Sequence, residues 1–309
     1  MHHNGAGVGA GMKYLQDFAY IEAVMRAGSI RKAADDMNIT ASALNRRIQR
    51  FEEEFGSEIF ERLPRGVRLN PAGELLIQHF RTQMSDLRRV QSQVADLSGI
   101  RRGHVSVACS QALIPYFMPA QIAAYRQSHP GVTFSVNVRD RDAAERDLST
   151  FRSDIALVFE PVLLVDFEVL MSVPQTIHVL MRATHPLAGQ AELRLRDCLD
   201  HPHVVPSRQY GVRYLLDTAA AKGSRSISPV VESDSFDFMR HYVQHEDAIA
   251  FQIPIGLSLL ADYGLVSRPL SRRDVPAGNL LLGQMRGRTL PVASARFAQS
   301  LGLALEAMG

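Results

Sequence analysis

The sequence predicts an α/β chain in three parts: an N-terminal winged helix-turn-helix, a long linker helix, and a C-terminal pair of Rossmann-like α/β subdomains. Three observations carry this. Residues 29–74 hold two short helices with good caps and an arginine-dotted hairpin. Residues 71–99 hold seven apolar positions at steps of three and four. From 104 onward, strand-like alternation trades places with helical periodicity, as in parallel sheets covered by helices. The expected parts are 12–70, 71–99 and 100–309. The last divides into subdomain I (about 104–170 and 275–309) and subdomain II (about 171–274).

Residues 1–11 carry neither the basic start nor the apolar core of a secretion signal. Their glycines follow no strand and miss the G-x-G-x-x-G spacing of a dinucleotide loop, so a flexible tail is expected, with Met12 a candidate start. A first helix is expected over 14–27, with Leu15, Phe18, Ile21, Val24 and Met25 inward and Gly28 ending it.

Ser29 can cap a second helix and Thr40 a third, because each side-chain oxygen can accept from free N–H groups of the first turn. Met37-Asn38-Ile39 between them is a tight turn, so the pair reads as a helix-turn-helix whose second helix enters the DNA major groove. On that helix Leu44, Ile48, Phe51 and Phe55 form one stripe expected to be buried. The opposite face carries Thr40, Ser42, Asn45, Arg46 and Arg50, and Ser29, Arg31 and Arg47 join the candidate DNA contacts. Over 59–69, Pro64-Arg65-Gly66 turns between two extended runs and would set Arg65 and Arg68 beside a phosphate backbone.

Charge distribution agrees. Net charge is only +2 over 309 residues, so DNA affinity must come from local polarity. Residues 40–50 hold Arg46, Arg47 and Arg50 without an acid, and 62–70 hold Arg62, Arg65 and Arg68 without one. Glu52, Glu53, Glu54, Glu58 and Glu61 between them read as a solvated acidic face. With 46% hydrophobic residues the chain can bury substantial cores. No apolar run approaches the ~20 residues of a membrane span, so no membrane partner and a cytoplasmic location are expected. Cys109 and Cys198 are too few for a disulfide framework.

Asn70 caps and Pro71 opens the long helix. Leu76, Phe80, Met84, Leu87, Val90, Val94 and Leu97 form a coiled-coil-like seam. A helix joining two domains has little core of its own, so the expected partner is the same helix of a second subunit; packing on its own chain is the alternative. Residues 99–103, Gly-Ile-Arg-Arg-Gly, are expected to end it as a hinge. Beyond, strands are expected at 105–109, 134–138, 155–159, 177–181, 204–205, 230–231 and 248–253. Helices are expected over 115–127, 211–222, 235–244 and 294–308, with a further polar helix before the strand at 155–159.

The pattern from Leu15, Phe18 and Ile21 through Ser29, Ala33-Ala34, Ile48, Glu52, Gly56, Phe60-Glu61-Arg62 and Leu69-x-Pro71-x-Gly73-Glu74 resembles the winged helix-turn-helix of LysR-type transcriptional regulators. The two α/β sets resemble that family's effector domain, which is like periplasmic solute-binding proteins. Two positions depart: Ala41 stands where the family often has Gln, and Asn45 where it often has Ser. The operator therefore does not carry over. The resemblance implies a homodimer or homotetramer on double-stranded DNA, modulated by a small-molecule effector.

In parallel α/β sheets, ligands sit at the carboxyl ends of strands. Those ends nominate Ser110, Gln111, Glu160, Pro161, Ser207, Arg208 and Gln252. Ser110 precedes a helix, where a hydroxyl and free N–H groups suit an anion; the plain alternative is a helix cap. In the resembled family a Ser or Thr at this place often contacts the effector. Glu160 pulls the other way, since a buried carboxylate disfavours an anion. His241 and His245 have metal-compatible spacing but are expected to face solvent. Cys109 sits in a strand pattern and reads as core. No catalytic motif occurs, so no enzymatic role, metal or cofactor is expected. The expected function is an effector-modulated DNA-binding regulator. Arginines 47, 50, 65 and 68 would contact phosphates, and Ser42, Asn45 and Arg46 would read bases. The alternative is a cytoplasmic solute-binding protein or cleft enzyme with an accessory N-terminal domain.

Overall fold

A computed structural model describes residues 7–97, 102–160, 166–257 and 260–308. Pro161 and most of the expected hinge (99–101) lie outside them. Contacts divide the chain into Met1–Leu87 and Arg88–Gly309, so the division falls inside the long helix rather than at its ends. Among the described residues no helix is long and apolar enough to cross a membrane.

The N-terminal unit starts with α1 (Gly7–Ala27), whose onset corrects the expectation of a flexible stretch up to residue 11. Once nucleated, a helix adds one bond per residue, so a glycine-containing extension can continue it. Gly28 ends it at φ +62°. Next come α2 (Ile30–Asp36) and α3 (Ala41–Phe55). Phe18, Ile21 and Val24 of α1 pack with Ala33, Ala34, Leu44, Ile48 and Phe51 in one core. Phe55 does not join it. It is 48% exposed and stacks on Phe51 at 5.8 Å, because α3 ends there and Gly56 turns left-handed at φ +81°. The wing is β1 (Phe60–Leu63) antiparallel to β2 (Gly66–Leu69), with Leu63 opposite Gly66. The Val67 N–H donates to the Gly28 carbonyl at 3.0 Å, tying the wing to the end of α1. A Cβ on Gly66 would lie 2.2 Å from that oxygen, so only glycine fits.

The long helix is α4 (Pro71–Leu97). The Asn70 carboxamide oxygen accepts from Gly73 N–H at 2.9 Å, as a cap should. Its seam divides in two. Leu76 and Ile77 are buried, Phe80 and Met84 pack on the same core, and the Phe80 ring lies 5.1 Å from Phe18. The first half therefore packs on its own chain, which corrects the expectation of a single intersubunit seam. Leu87, Val90 and Val94 are exposed.

The second unit holds two five-stranded sheets. The first uses β3 (Arg102–Cys109), β4 (Gly131–Val138), β5 (Ile155–Phe159), β6 (Phe167–Gln175) and β12 (Gly278–Met285), in the order β4-β3-β5-β12-β6. The second uses β7 (His178–Arg182), β8 (His203–Pro206), β9 (Val231–Ser233), β10 (Ile249–Gln252) and β11 (Leu265–Pro269), in the order β11-β7-β10-β8-β9. Neither sheet is wholly parallel, which corrects the expectation: β12 pairs antiparallel with β5 and β6, and β7 with β10 and β11. The strand β6 reaches Gln175, so the first crossing lies at 175–178 rather than near 171. The helices are α5 (Phe117–Ser128), α6 (Arg141–Ser149), α7 (Leu195–Leu199), α8 (Gly211–Lys222), α9 (Phe236–His245) and α10 (Val292–Glu306). Strands β6, β11 and β12 and helix α7 were not legible: β6 is mostly exposed, and α7 is too short for a helical period.

Candidate nucleic-acid interface and cleft

The helix-turn-helix is held from both ends. The Lys32 N–H donates to Ser29 Oγ at 3.4 Å and the Ala43 N–H to Thr40 Oγ1 at 3.2 Å. Thr40 Oγ1 also lies 3.2 Å from Ser42 Oγ, so these hydroxyls shape the start of α3. Ser42, Arg46 and Arg50 are exposed on its outer face with Asn45 half-buried, and Arg31 is exposed on α2. Arg46 and Arg65 have no ion-pair or hydrogen-bond partner among the described residues. The Arg47 guanidinium lies 4.9 Å over the Tyr20 ring and donates to Gln16 Oε1 at 3.4 Å. Arg50 faces Glu54 at 3.8 Å, and Arg68 pairs with Glu61 across the hairpin. Exposed pairs contribute ~0.2–1 kcal/mol, so an incoming phosphate can displace either carboxylate.

The acidic run is not all solvated face. Glu52 is half-buried, and its Oε1 accepts from Ile59 N–H at 2.8 Å and Phe60 N–H at 3.2 Å. It clamps the end of α3 to the root of the wing. The donors of Ile59 and of Phe60, the first residue of β1, both need an acceptor where the strand begins, and a carboxylate seven and eight residues back supplies one for both.

In the second unit the strand ends converge on a cleft between the two sheets, lined by Ser110, Arg139, Asp140, Arg141, Tyr210 and Phe236 among others. Its volume is ≈ 10 Å³, about room for one water molecule. Ser110 stands at the end of β3 and is 9% exposed, with its N–H donating to Leu157 at 2.9 Å. Its hydroxyl does not cap the short turn Gln111–Leu113 and has no partner among the described residues. The simple helix-cap alternative therefore fails. The Gln111 Oε1 instead reaches across the cleft and accepts from Phe236 N–H at the start of α9.

The other nominated residues stand apart. Glu160, at φ +51°, turns its carboxylate to accept from Asn279 N–H at 2.5 Å, so it does not face the cleft. Ser207 is half-buried, Arg208 is exposed, and neither lines the cavity. Gln252 is 4% exposed and donates to the Gly256 carbonyl at 3.4 Å, while its neighbour Ile253 does the lining.

Arg139 and Arg141 were missed, although the strand-end rule applied to β4 points straight at Arg139-Asp140-Arg141. Arg139 pairs with Asp147 at 2.6 Å. Arg141 donates to the Glu160 carbonyl at 3.0 Å and the Gln209 carbonyl at 3.2 Å, and lies 5.1 Å over Tyr214. Burial, and then Asp234 and Asp140, raise the Tyr210 phenol above its ordinary pKa. It stays protonated and donates to the Asp234 carbonyl at 3.0 Å. The N-terminus of α8 has no side-chain cap. Arg139 is neutralised by Asp147, and Asp140 lines the same cavity. What favours negative charge here is therefore the Arg141 guanidinium, which hydrogen-bonds only to carbonyls among the described residues, with a free hydroxyl and uncapped helix N–H groups. Among the described residues no three His, Cys, Asp or Glu side chains gather as a metal site.

Comparison with known proteins gives two family matches: "LysR substrate binding domain" over residues 98–305, and "Bacterial regulatory helix-turn-helix protein, lysR family" over residues 15–74. The RuBisCO operon transcriptional regulator of Allochromatium vinosum is 25% identical over 213 residues, covering 69% of this chain and 70% of the relative. A full-length OxyR variant from Pseudomonas aeruginosa shares the fold at TM-score 0.67 and 19% identity, covering 99% of this chain and 96% of that one. The effector binding domain of QuiR in complex with shikimate aligns at TM-score 0.58 and 19% identity, covering 67% of this chain and 98% of that one.

Proposed function

The chain belongs to the LysR family of DNA-binding transcriptional regulators, and on that premise we propose which of its residues read DNA and which receive the effector. Arg46 and Asn45 on α3 read base edges, while Arg65 at the wing tip and Arg50 and Arg68, once released from their glutamates, hold phosphates. The exposed half of α4, with Leu87, Val90 and Val94, pairs two copies so that two half-sites are engaged together. The effector is a small molecule seated between the sheets at Ser110, Arg139, Arg141 and the start of α8. That the QuiR effector domain holds shikimate, a carboxylate, supports an acidic effector here. Acting on chromosomal DNA, the protein works in the cytoplasm, and this reading includes no enzymatic step.

The single observation that carries the DNA assignment is α3 itself: capped by Thr40, buried along Leu44, Ile48 and Phe51, and presenting an unpaired Arg46 to solvent. The test is a gel shift on the gene's own upstream DNA and on random DNA. Arg46→Ala should cost ~1–3 kcal/mol on the specific site only. An equal loss on both DNAs makes Arg46 a phosphate contact.

A further inference from the structure

Beside the residues that line the cleft, two side chains tie one subdomain to the other. Gln111, from the sheet containing β3, reaches across and its amide oxygen accepts from the first N–H of α9, on the other sheet. A few residues on, Tyr116 Oη accepts from Arg240 of the same helix. Within α9, Ser235 Oγ accepts from Phe238 N–H at 3.1 Å. Of the free N–H groups that open the helix, one is thus filled by its own cap and one by a residue of the opposite subdomain. Phe236 and Ser110 both line the cleft, and Ser110, a residue 9% exposed, has its hydroxyl unpartnered there among the described residues. The acceptor at Phe236 is neutral, yet a helix N-terminus favours an anion over a neutral dipole.

We propose that Gln111 is a tethered stand-in for the effector: its amide oxygen holds the α9 N–H that a ligand carboxylate takes over, and the exchange releases one of the two hydrogen-bonded ties to α9, leaving the one between Tyr116 and Arg240. This rests on the reading of the cleft as the effector site and adds how occupancy is sensed. The carboxylate would receive the Phe236 N–H on one oxygen and the Ser110 hydroxyl on the other. Displaced Gln111 loses its hydrogen bond to the start of α9. Since a cavity of ≈ 10 Å³ admits no organic acid, entry requires the subdomains to separate. The Gln111 clasp is therefore a term in the ligand's differential affinity for the two arrangements.

The experiment uses the full chain, with hydrogen exchange read at the Phe236 amide and acetate titrated against chloride at constant ionic strength. In the wild type, the amide is protected by Gln111. Gln111→Ala should speed its exchange about tenfold, and acetate should restore protection at about tenfold lower concentration than it perturbs the wild-type clasp. Gln111→Asn, which keeps the amide but is one methylene short, should behave like alanine. Gln111→Glu should protect the amide more than the wild type and resist acetate. Equal acetate response in wild type and Gln111→Ala overturns the proposal. So does faster exchange in Gln111→Ala with no acetate effect on either protein, which leaves Gln111 a structural clasp. In that case an effector whose action needs Ser110 still upholds the cleft reading, so the two failures are distinct.

Discussion

Removing the Glu52 carboxylate should loosen the wing without touching a DNA contact. One oxygen receives two backbone donors, from Ile59 at 2.8 Å and Phe60 at 3.2 Å, and Ile59 is fully buried. Hydrogen bonds to a charged acceptor contribute ~1.5–3 kcal/mol each, and a stranded buried donor costs a similar amount. Glu52 is half-buried, so water can replace part of this; the pair together is then worth about 2–3 kcal/mol in Glu52→Ala. That corresponds to a rise of roughly 30–150-fold in exchange of the Ile59 and Phe60 amides under local opening. Glu52→Gln, which keeps a neutral acceptor, should lose about half of it. Glu53→Ala, exposed on the same turn, is the control and should change nothing. DNA affinity should fall alongside, because the wing no longer holds Arg65 and Arg68 at a fixed distance from α3. If both amides exchange less than threefold faster in Glu52→Ala, the carboxylate is a solvated charge and the clamp does not hold the wing.

Charged residues at Leu87 and Val94 should abolish dimers by light scattering and weaken DNA binding more than Arg46→Ala, since two half-sites must be engaged at once; an unchanged oligomer excludes this seam. Ser110→Ala should leave effector-free DNA binding intact and weaken the response to any acid found by thermal-shift screening; an undiminished response removes Ser110 from the site. Stability should also fall with pH through His185, which is 3% exposed with Nε2 unpartnered. Burial pushes its pKa down, and His201 and Arg182 push the same way against Asp247. The unfolded chain then binds the proton first: stability is full above about pH 6.5 and declines below it. His185→Gln should flatten urea midpoints between pH 7 and 5, and an unaltered slope would place the effect elsewhere.

What the chain could reveal unaided was local. Ser29, Thr40 and Asn70 were identifiable as caps because capping involves atoms three residues apart. The stripe Leu44, Ile48, Phe51 was readable from helical period alone, as was Ser110 from its place between strand and helix. Everything that depends on pairing across long separations was decided by the tertiary structure. No pattern in 278–285 announces that β12 inserts antiparallel between β5 and β6, over a hundred residues earlier. That Arg47 lies over Tyr20 depends on how α1 meets α3, and the α4 stripe is divided because Phe18 and Phe51 take its first half. Gln111 was named as a ligand residue, but its partner, the Phe236 N–H, lies 125 residues away. Short-range hydrogen bonds and periodicity are written into neighbouring residues, whereas which distant surface a side chain meets depends on how whole elements pack.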